Sequence, residues 1–220
     1  MESWLDQALA DFETDNAALV PHTRSFLSRI VPETALHARL INTLSLLEHL
    51  GSHKIMTTQH GAGMDQATLR HVAEEAHHAY FMKRQAEKAA ERPLDYVPAD
   101  LLAPAAARMY FQRLEAAMLR ALGRLKTLGA AYPRAIYLYM SLIVEFRALW
   151  FYELYEKTLK HAGRSMSLKR MLGEERNHLH DVAGRLAAAD ELSSARTAAF
   201  LGVERTLYGR LLSAMQAETE

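Results

Sequence analysis

The amino-acid sequence predicts an all-α protein, and three observations lead to that fold class. Half of the 220 residues are hydrophobic, and no segment shows the alternating apolar and polar pattern of a half-buried strand. The composition is rich in Ala, Leu, Glu, Arg and Met, which favour helix. Gly (10) and Pro (6) are sparse, as expected when long helices meet through short turns. We therefore predict a single helical domain over residues 1–220 with a well-buried core.

The first half of the chain contains two short and two long predicted helices, over about 2–12, 16–30, 33–59 and 66–91. Pro32 is a favoured residue at the start of a helix, and leucines recur on one face of the segment that follows it. Gly61-Ala62-Gly63 is predicted to end this third helix. Asp65 is the predicted N-cap of the fourth, which ends before Pro93 because the residue preceding a proline disfavours helix.

The second half begins with a connection over residues 93–103 and contains four more predicted helices, over about 104–128, 132–161, 167–189 and 194–217. Gly129 is expected to end the first of these and Gly163 the second, and Ser165 or Ser167 to cap the third. We expect residues 33–91 and 132–189 to form a four-helix core. The helices at 2–30, 104–128 and 194–217 would flank this core.

Charge and composition exclude several classes of protein. Lys plus Arg equals Asp plus Glu at 26 each, so there is no basic surface typical of a nucleic-acid-binding protein. The chain has no cysteine, which excludes disulfides, thiolate catalysis and zinc–thiolate sites. Residues 1–6 do not resemble a signal peptide, and the longest uncharged apolar stretch, 135–144, is half of the roughly 20 residues of a membrane span. We expect a cytoplasmic protein with no membrane span.

Four segments place acidic or imidazole groups where a helix should be buried. Glu-x-x-His occurs in three frames, and residues three apart in a helix share one face, so that both side chains of a pair can point at the same spot. The predicted cluster combines two such pairs with two single glutamates. Its members are Glu48, Glu75, His78, Glu145, Glu175 and His178.

The spacing of these residues indicates two matching helical hairpins. Glu48 precedes Glu75 by 27 residues and Glu145 precedes Glu175 by 30 residues, with a turn between the members of each pair. Each pair can therefore face across an antiparallel hairpin at a similar height. One single Glu plus one Glu-x-x-His, used twice, is the ligand set of dinuclear carboxylate sites in four-helix bundles.

Electrostatics explains why such a cluster requires metal. Two divalent cations a few Å apart repel each other, and four carboxylates offset their four positive charges. Two imidazoles add neutral nitrogen donors suited to iron. Without metal, the burial of four carboxylates would be costly, and Glu145 in particular interrupts the most apolar helix of the chain. We predict two metal ions, with iron as the expected metal and manganese or a mixed pair as alternatives.

Glu74/His77 and Glu75/His78 are overlapping frames of one motif. We choose Glu75/His78 because an apolar stripe lies beside it, formed by Leu69, Val72, Ala76 and Ala79.

The motif Glu-Glu-x-x-His occurs twice, at residues 74–78 and 174–178, so Glu74 and Glu174 occupy equivalent positions in the two copies. Each could accept the second ring N–H of a ligand histidine and fix its tautomer, or each could be exposed.

Other residues compete for a place in the site or border it. Glu153 and Glu156 are alternatives to Glu145, although Lys157 and Lys160 suggest that this part of the helix faces solvent. Tyr152, two turns from Glu145, could line a pocket or have a radical role. The other nine histidines are expected to be surface or structural residues rather than ligands: His22, His37, His49, His53, His60, His71, His77, His161 and His180.

The residues from about 34 to 190 resemble the ferritin-like di-iron carboxylate superfamily. Within it, the stretch from Ser141 to Ala148, followed by Glu175-Arg176-Asn177-His178-Leu179, resembles the second half of the aldehyde-deformylating oxygenases. Glu48-His49 resembles the segment with their first ligand. The resemblance implies a ferritin-like four-helix bundle with flanking helices and O2 or peroxide activation at a di-iron centre. It does not extend to the fatty-aldehyde substrate, because fold analogy does not fix a substrate.

Three functions follow from these observations. The leading hypothesis is a di-metal oxidoreductase that uses O2 and an electron donor to oxidise a small apolar molecule; a homodimer is compatible with it. The first alternative is a ferritin-type iron-storage protein. The second is a metal-free helical interaction protein whose buried glutamates pair with arginines such as Arg39, Arg147 or Arg176.

Overall fold

The computed structural model describes residues 2–59, 64–123 and 132–219, and the all-α prediction is confirmed for these residues, which contain no strand. A short 3-10 helix, Pro98–Asp100, lies in the connection before the fifth α-helix. The α-helices are, in order, α1 Glu2–Asp15, α2 Leu19–Ile30, α3 Thr34–Thr58, α4 Gln66–Ala90, α5 Pro104–Leu122, α6 Tyr132–His161, α7 Lys169–Ala189 and α8 Ser193–Ala217.

Most helix ends lie close to their predicted positions. Asp65 caps α4 as predicted, since its carboxylate accepts a hydrogen bond from the backbone N–H of Thr68 at 2.9 Å. Gly163 follows α6 with a φ of +65°, a conformation that favours glycine. The predicted ends at Gly61-Ala62-Gly63 and at Gly129 lie outside the described residues.

The predicted serine cap of α7 is wrong, because this helix is capped from another element. It begins at Lys169, and the backbone N–H of the preceding Leu168 donates to the Glu156 carboxylate at 2.7 Å. Glu156 lies near the end of α6, so it links the two helices of this hairpin across their connection. A carboxylate at a helix N-terminus also interacts favourably with the helix dipole.

Helices α3 and α4 form one antiparallel hairpin. The Ser45 hydroxyl donates to the Ala79 carbonyl at 2.7 Å, and Lys83 donates to the Asn42 side chain at 3.0 Å. Residue numbers therefore rise along one helix while those of the contacting residues fall along the other, which shows that the two helices are antiparallel. Helix α3 packs more extensively against α4 than against any other helix, so these two helices form one packing unit.

Helices α6 and α7 form a second antiparallel hairpin, which packs against the first. Tyr139 donates to Asp190 at 2.6 Å near one end, and Arg176 donates to Glu153 at 2.6 Å near the other. Over Arg134–His161, α6 is apolar and long enough to pass a composition test for a membrane span, as core helices of water-soluble proteins also do. Of its most apolar window, 67% is buried inside the protein.

The flanking helices are joined to α6 by a buried ion pair. Arg147 on α6 binds Glu204 on α8 through Nε at 2.9 Å and through Nη2 at 2.8 Å. Nη2 also donates to Asn16 at 2.6 Å, and Tyr110 on α5 donates to Glu204 at 2.8 Å. Helices α5, α6 and α8 therefore meet at one fully enclosed carboxylate, and Asn16 joins this network through Arg147.

Candidate metal centre

The six residues predicted to form the cluster converge in the interior, where the two hairpins face each other. Each residue is between 1% and 7% exposed. They come from four helices: Glu48 from α3, Glu75 and His78 from α4, Glu145 from α6, and Glu175 and His178 from α7.

The cluster contains two groups of ligand atoms, each within 4.8 Å of one another. The first group consists of Glu48, Glu75, His78 and Glu175. The Nδ1 atom of His78 lies 3.3 Å from Glu175 Oε1 and 3.8 Å from Glu75 Oε1. Three carboxylates and one imidazole nitrogen therefore surround one position.

The second group consists of His71, Glu75, Glu145 and His178. The Nδ1 atom of His178 lies 3.2 Å from Glu75 Oε1 and 3.5 Å from Glu145 Oε1. Glu75 belongs to both groups. Glu175 faces both as well, since its Oε1 approaches His78 and its Oε2 lies 3.2 Å from His178 Nδ1. Carboxylates shared in this way can bridge two metal ions.

His71 is a member of the cluster, so its assignment as a surface or structural residue is corrected. Its Nε2 atom lies 3.1 Å from Glu145 Oε1 and 3.4 Å from Glu75 Oε1, and it is 5% exposed. Its Nδ1 atom lies 3.0 Å from the Tyr137 hydroxyl. The sequence contained the signal, because His71 lies four residues before Glu75 and seven before His78, on the same helical face.

Glu74 and Glu174 hold the ring nitrogens that face away from the centre, in a crossed arrangement. Glu74 lies 2.8 Å from His178 Nε2, and Glu174 lies 2.9 Å from His78 Nε2. Each carboxylate therefore reaches a histidine on the opposite hairpin. A carboxylate that accepts the Nε2–H leaves Nδ1 as the nitrogen available to metal.

The reason given for choosing Glu75 is wrong in part, although Glu75 and His78 are the residues that point inward. Leu69 is 54% exposed, and Ala76 is also exposed. The buried face of α4 instead comprises Thr68, His71, Glu75, His78, Ala79, Met82 and Ala86. This face is largely polar because its side chains face the carboxylate cluster, so an apolar stripe was a poor guide to it.

Glu153 and Glu156 lie outside the cluster. Glu153 pairs with Arg176, and Glu156 caps α7. Of the three α6 glutamates considered for the cluster, only Glu145 reaches the histidines of α4 and α7.

The three arginines considered as partners for glutamates are not engaged with the four glutamates of the cluster. Arg39 pairs with Glu218, Arg147 with Glu204, and Arg176 with Glu153. The charge of the cluster is therefore not offset by these three side chains.

Tyr152 donates a hydrogen bond to Glu48 Oε1. Burial raises the pKa of the Tyr152 hydroxyl well above its ordinary value, and the charge of Glu48 adds to this effect. Tyr152 is thus held as a neutral hydrogen-bond donor that orients Glu48.

The side chains of the cluster differ in how strongly they hold protons. Burial raises the pKa values of Glu75 and Glu145, but their contacts with His178 and His71 outweigh burial and lower them, that of Glu75 to about 2. Burial raises the pKa of Glu48 well above its usual range, and the neighbouring charges of Glu75 and Glu175 raise it further. Burial lowers the pKa of His78, but its contacts with Glu175 and the other carboxylates outweigh burial and raise the pKa to about 10. Protons thus offset part of the negative charge that metal ions would otherwise offset.

Unsatisfied polar atoms in the cluster also indicate that its residues fit divalent cations. Buried polar atoms in proteins nearly always have a hydrogen-bond partner. In the part of the chain that the structure describes, five buried side-chain atoms have none, and three belong to the cluster: Glu75 Oε1, His78 Nδ1 and Glu175 Oε1. These three atoms face one another, and a metal ion would satisfy all of them.

Two cavities border the cluster. The first has a volume of about 70 Å³ and is lined by all four glutamates of the predicted set together with apolar and aromatic side chains. The second, of about 40 Å³, is lined by His71, Glu75 and Glu145 on one side and by Lys54 and Glu115 on another. Gly51 lines both cavities, so the absence of a side chain there leaves space beside Glu75.

Comparison of the chain with models of protein families, with curated proteins and with solved structures finds no match.

Proposed function

We propose that this protein is a dinuclear metal oxidoreductase with a ferritin-like four-helix core, which uses O2 or peroxide to oxidise a small organic molecule. Iron is the proposed metal, because a mixed set of carboxylates and imidazoles suits it. When bound, the two ions would supply the redox chemistry, and an external electron donor would supply reducing equivalents.

One observation carries the proposal. Two groups of ligand atoms share a carboxylate in a dry interior, and a mainly apolar cavity opens directly beside them. A purely structural ion site needs no adjacent space. A site that oxidises a bound molecule needs room for both the oxidant and that molecule.

The surrounding residues have definable tasks in such a reaction. Glu74 and Glu174 orient the two ligand histidines through their outer nitrogens. Tyr152 orients Glu48 through the hydrogen bond that its hydroxyl donates. Phe111, Val144 and Phe151 line the cavity with apolar surface, which excludes bulk water from reactive species.

The first experiment measures metal content. Protein purified without chelator should contain about two iron ions per chain, and Glu145→Gln should reduce this content because it removes a ligand from the second group. Glu153→Gln is a matched control, since it makes the same change eight residues later in α6, outside the cluster. Wild-type protein free of transition metal after growth in iron-replete medium would contradict the proposal.

The second experiment tests redox function. Iron-loaded protein that has been reduced anaerobically and then mixed with O2 should show a transient optical absorption before the final oxidised spectrum. The absence of any reaction with O2 would contradict an oxidase or oxygenase function. A large hollow assembly carrying many irons per chain would instead favour iron storage.

A further inference from the structure

Arg147 is an ionised side chain in an aromatic environment next to the proposed metal centre. It is 5% exposed, and its guanidinium carbon lies 4.0 Å from the ring centroid of Tyr208 and 4.8 Å from those of Phe12 and Trp150. Burial of a guanidinium requires that its charge and its N–H groups be satisfied.

Two of the three guanidinium nitrogens are satisfied within the protein. Nε and Nη2 bind the Glu204 carboxylate in a bidentate pair, and Nη2 also donates to Asn16. Nη1 is different: it is buried, and it contacts no acceptor in the described part of the chain. Both N–H groups of this atom are therefore available to a ligand.

Arg147 lines the same cavity as the four glutamates of the cluster. The rest of the wall is mostly apolar and aromatic, with Leu44, Phe111, Phe151 and Met215 among its residues. At about 70 Å³ the cavity exceeds the space that one buried water needs, roughly 10–15 Å³. It suits a molecule of a few heavy atoms.

We infer that this cavity binds a small, uncharged molecule whose acceptor oxygen, such as a ketone or amide carbonyl, receives hydrogen bonds from Arg147 Nη1. The apolar remainder of the molecule fills the space beside the carboxylate cluster. The identification of this molecule as the substrate rests on the proposed function, but its binding does not.

Charge balance selects an uncharged acceptor over an anion. Glu204 already offsets the charge of Arg147 at 2.8 Å, and Tyr110 donates a further hydrogen bond to that carboxylate. A ligand carboxylate would add an uncompensated negative charge to an interior that also contains four glutamates. A carbonyl oxygen satisfies Nη1 without this cost.

The test uses 2-pentanone and butanoate, which have the same number of heavy atoms and differ in charge. Met215 lines the cavity, so the methyl resonance of Met215 in protein labelled with ¹³C-methyl methionine reports binding; Met215→Leu assigns the resonance. We expect saturable shifts with 2-pentanone and binding of butanoate weaker by about tenfold or more, because the carboxylate of butanoate adds an uncompensated negative charge to the interior.

The double variant Arg147→Met/Glu204→Met removes the guanidinium while replacing the buried ion pair with apolar side chains, an exchange that proteins often tolerate. We expect it to weaken 2-pentanone binding about tenfold. Arg176→Met/Glu153→Met is the matched control, since it removes an Arg–Glu pair that joins α7 to α6 at the surface, and it should bind 2-pentanone as wild type does. A ¹H–¹³C spectrum with wild-type dispersion establishes that each variant is folded.

Three outcomes would overturn the inference: no shift of the Met215 methyl group with 2-pentanone, tighter binding of butanoate than of 2-pentanone, or unchanged ketone binding in the Arg147→Met/Glu204→Met protein. Metal content is measured on the same samples, and titrations are done with metal-free and iron-loaded protein. Ketone binding by a protein that takes up no metal would refute the proposed function and leave this inference standing. Metal uptake without ketone binding would refute this inference and leave the proposed function standing.

Discussion

His71 brings a third imidazole to the carboxylate cluster and makes its two ligand groups unequal. The first group has one imidazole, from His78, whereas the second has two, from His71 and His178. Both groups contain Glu75, so the difference lies in the remaining ligands. An additional neutral nitrogen in place of a carboxylate oxygen changes the charge and the donor strength at that position.

We expect His71→Gln to weaken metal binding at one of the two positions. Loss of a group that orients a metal ligand typically costs about 10–100-fold in metal affinity, and we expect loss of His71 to cost at least as much at its own position. The variant should therefore retain one tightly bound ion and release the other in a competition titration with a chelator. Its Mössbauer spectrum with ⁵⁷Fe should show one altered iron environment.

His77→Gln is the control for this experiment, because His77 lies on the same helix but is exposed. It should bind metal as wild type does. Equal weakening of both positions in His71→Gln would show that His71 acts on the whole cluster through Glu75 rather than as a ligand of one ion.

A second buried histidine, His37, lies away from the cluster and determines a different property. Its Nε2 atom lies 2.5 Å from the Tyr155 hydroxyl. Burial lowers the pKa of His37 from 6.5 to about 4, and the positive charge of Arg164 contributes to the same shift. The folded protein therefore keeps this ring neutral at a pH where the unfolded chain binds a proton.

Stability should fall as the pH drops from about 6.5 towards 4, because in that window the unfolded state binds more protons at His37 than the folded state does. Between pH 7.5 and 5.5, metal-free wild-type protein should lose about 1 kcal/mol more of its unfolding free energy than His37→Gln. Urea denaturation at both pH values measures this. The exposed His180→Gln should follow wild type; equal pH dependence in all three proteins would refute the assignment.

At the scale of elements, the α3–α4 hairpin sets the space beside the centre. A Cβ atom at Gly51 of α3 would lie 3.6 Å from Glu75 Oε2, which is an ordinary van der Waals distance. Alanine therefore fits without displacing the ligand, but it projects into both cavities. Glycine costs a helix about 0.5–1 kcal/mol relative to alanine, so the sequence sacrifices local stability at this position.

Gly51→Ala should raise the unfolding free energy by up to about 1 kcal/mol while reducing the affinity for a cavity ligand. Gly173→Ala is its matched control, since a Cβ atom at Gly173 in α7 would meet nothing within 4 Å. Both variants should be more stable than wild type in urea denaturation, and only Gly51→Ala should weaken 2-pentanone binding. Equal binding by the two variants would show that Gly51 does not define the cavity.

At the scale of the whole molecule, metal should couple the two hairpins to each other. Ligands from α3, α4, α6 and α7 converge on shared carboxylates, so an ion that binds only the folded arrangement stabilises all four helices. At a free metal concentration 100 times the dissociation constant, this amounts to ~2.7 kcal/mol. A shift of this size should raise the melting temperature by about 5–10 °C.

Metal binding should also release protons, and its affinity should rise with pH. The pKa of His78 is raised to about 10, so its ring is protonated at pH 7 before an ion displaces the proton, and the raised pKa of Glu48 makes its carboxyl group hold a proton to a higher pH than a free carboxyl group does. Calorimetric titrations in two buffers with different ionisation enthalpies give the number of protons released. Proton release near zero, or tighter metal binding at pH 6 than at pH 8, would contradict this electrostatic account.

The sequence by itself determined the eight helices and the six main members of the cluster. Helix positions follow from local signals, namely the spacing of apolar residues and the capping or breaking residues at the ends. The cluster followed from spacing too, because matched intervals on two hairpins place Glu48 opposite Glu75 and Glu145 opposite Glu175. These are properties of chain segments that a linear pattern can encode.

Only the tertiary structure decided the rest. It placed His71 beside Glu75 and Glu145, set Glu74 against His178 and Glu174 against His78, and left Arg147 Nη1 without a partner among the described residues, in a side chain that lines a cavity. Each of these depends on how one helix is rotated against another and on which atoms a neighbouring side chain already satisfies. The packing of all the helices together determines these rotations and hydrogen-bond partners, and they cannot be predicted from the periodicity of any one segment.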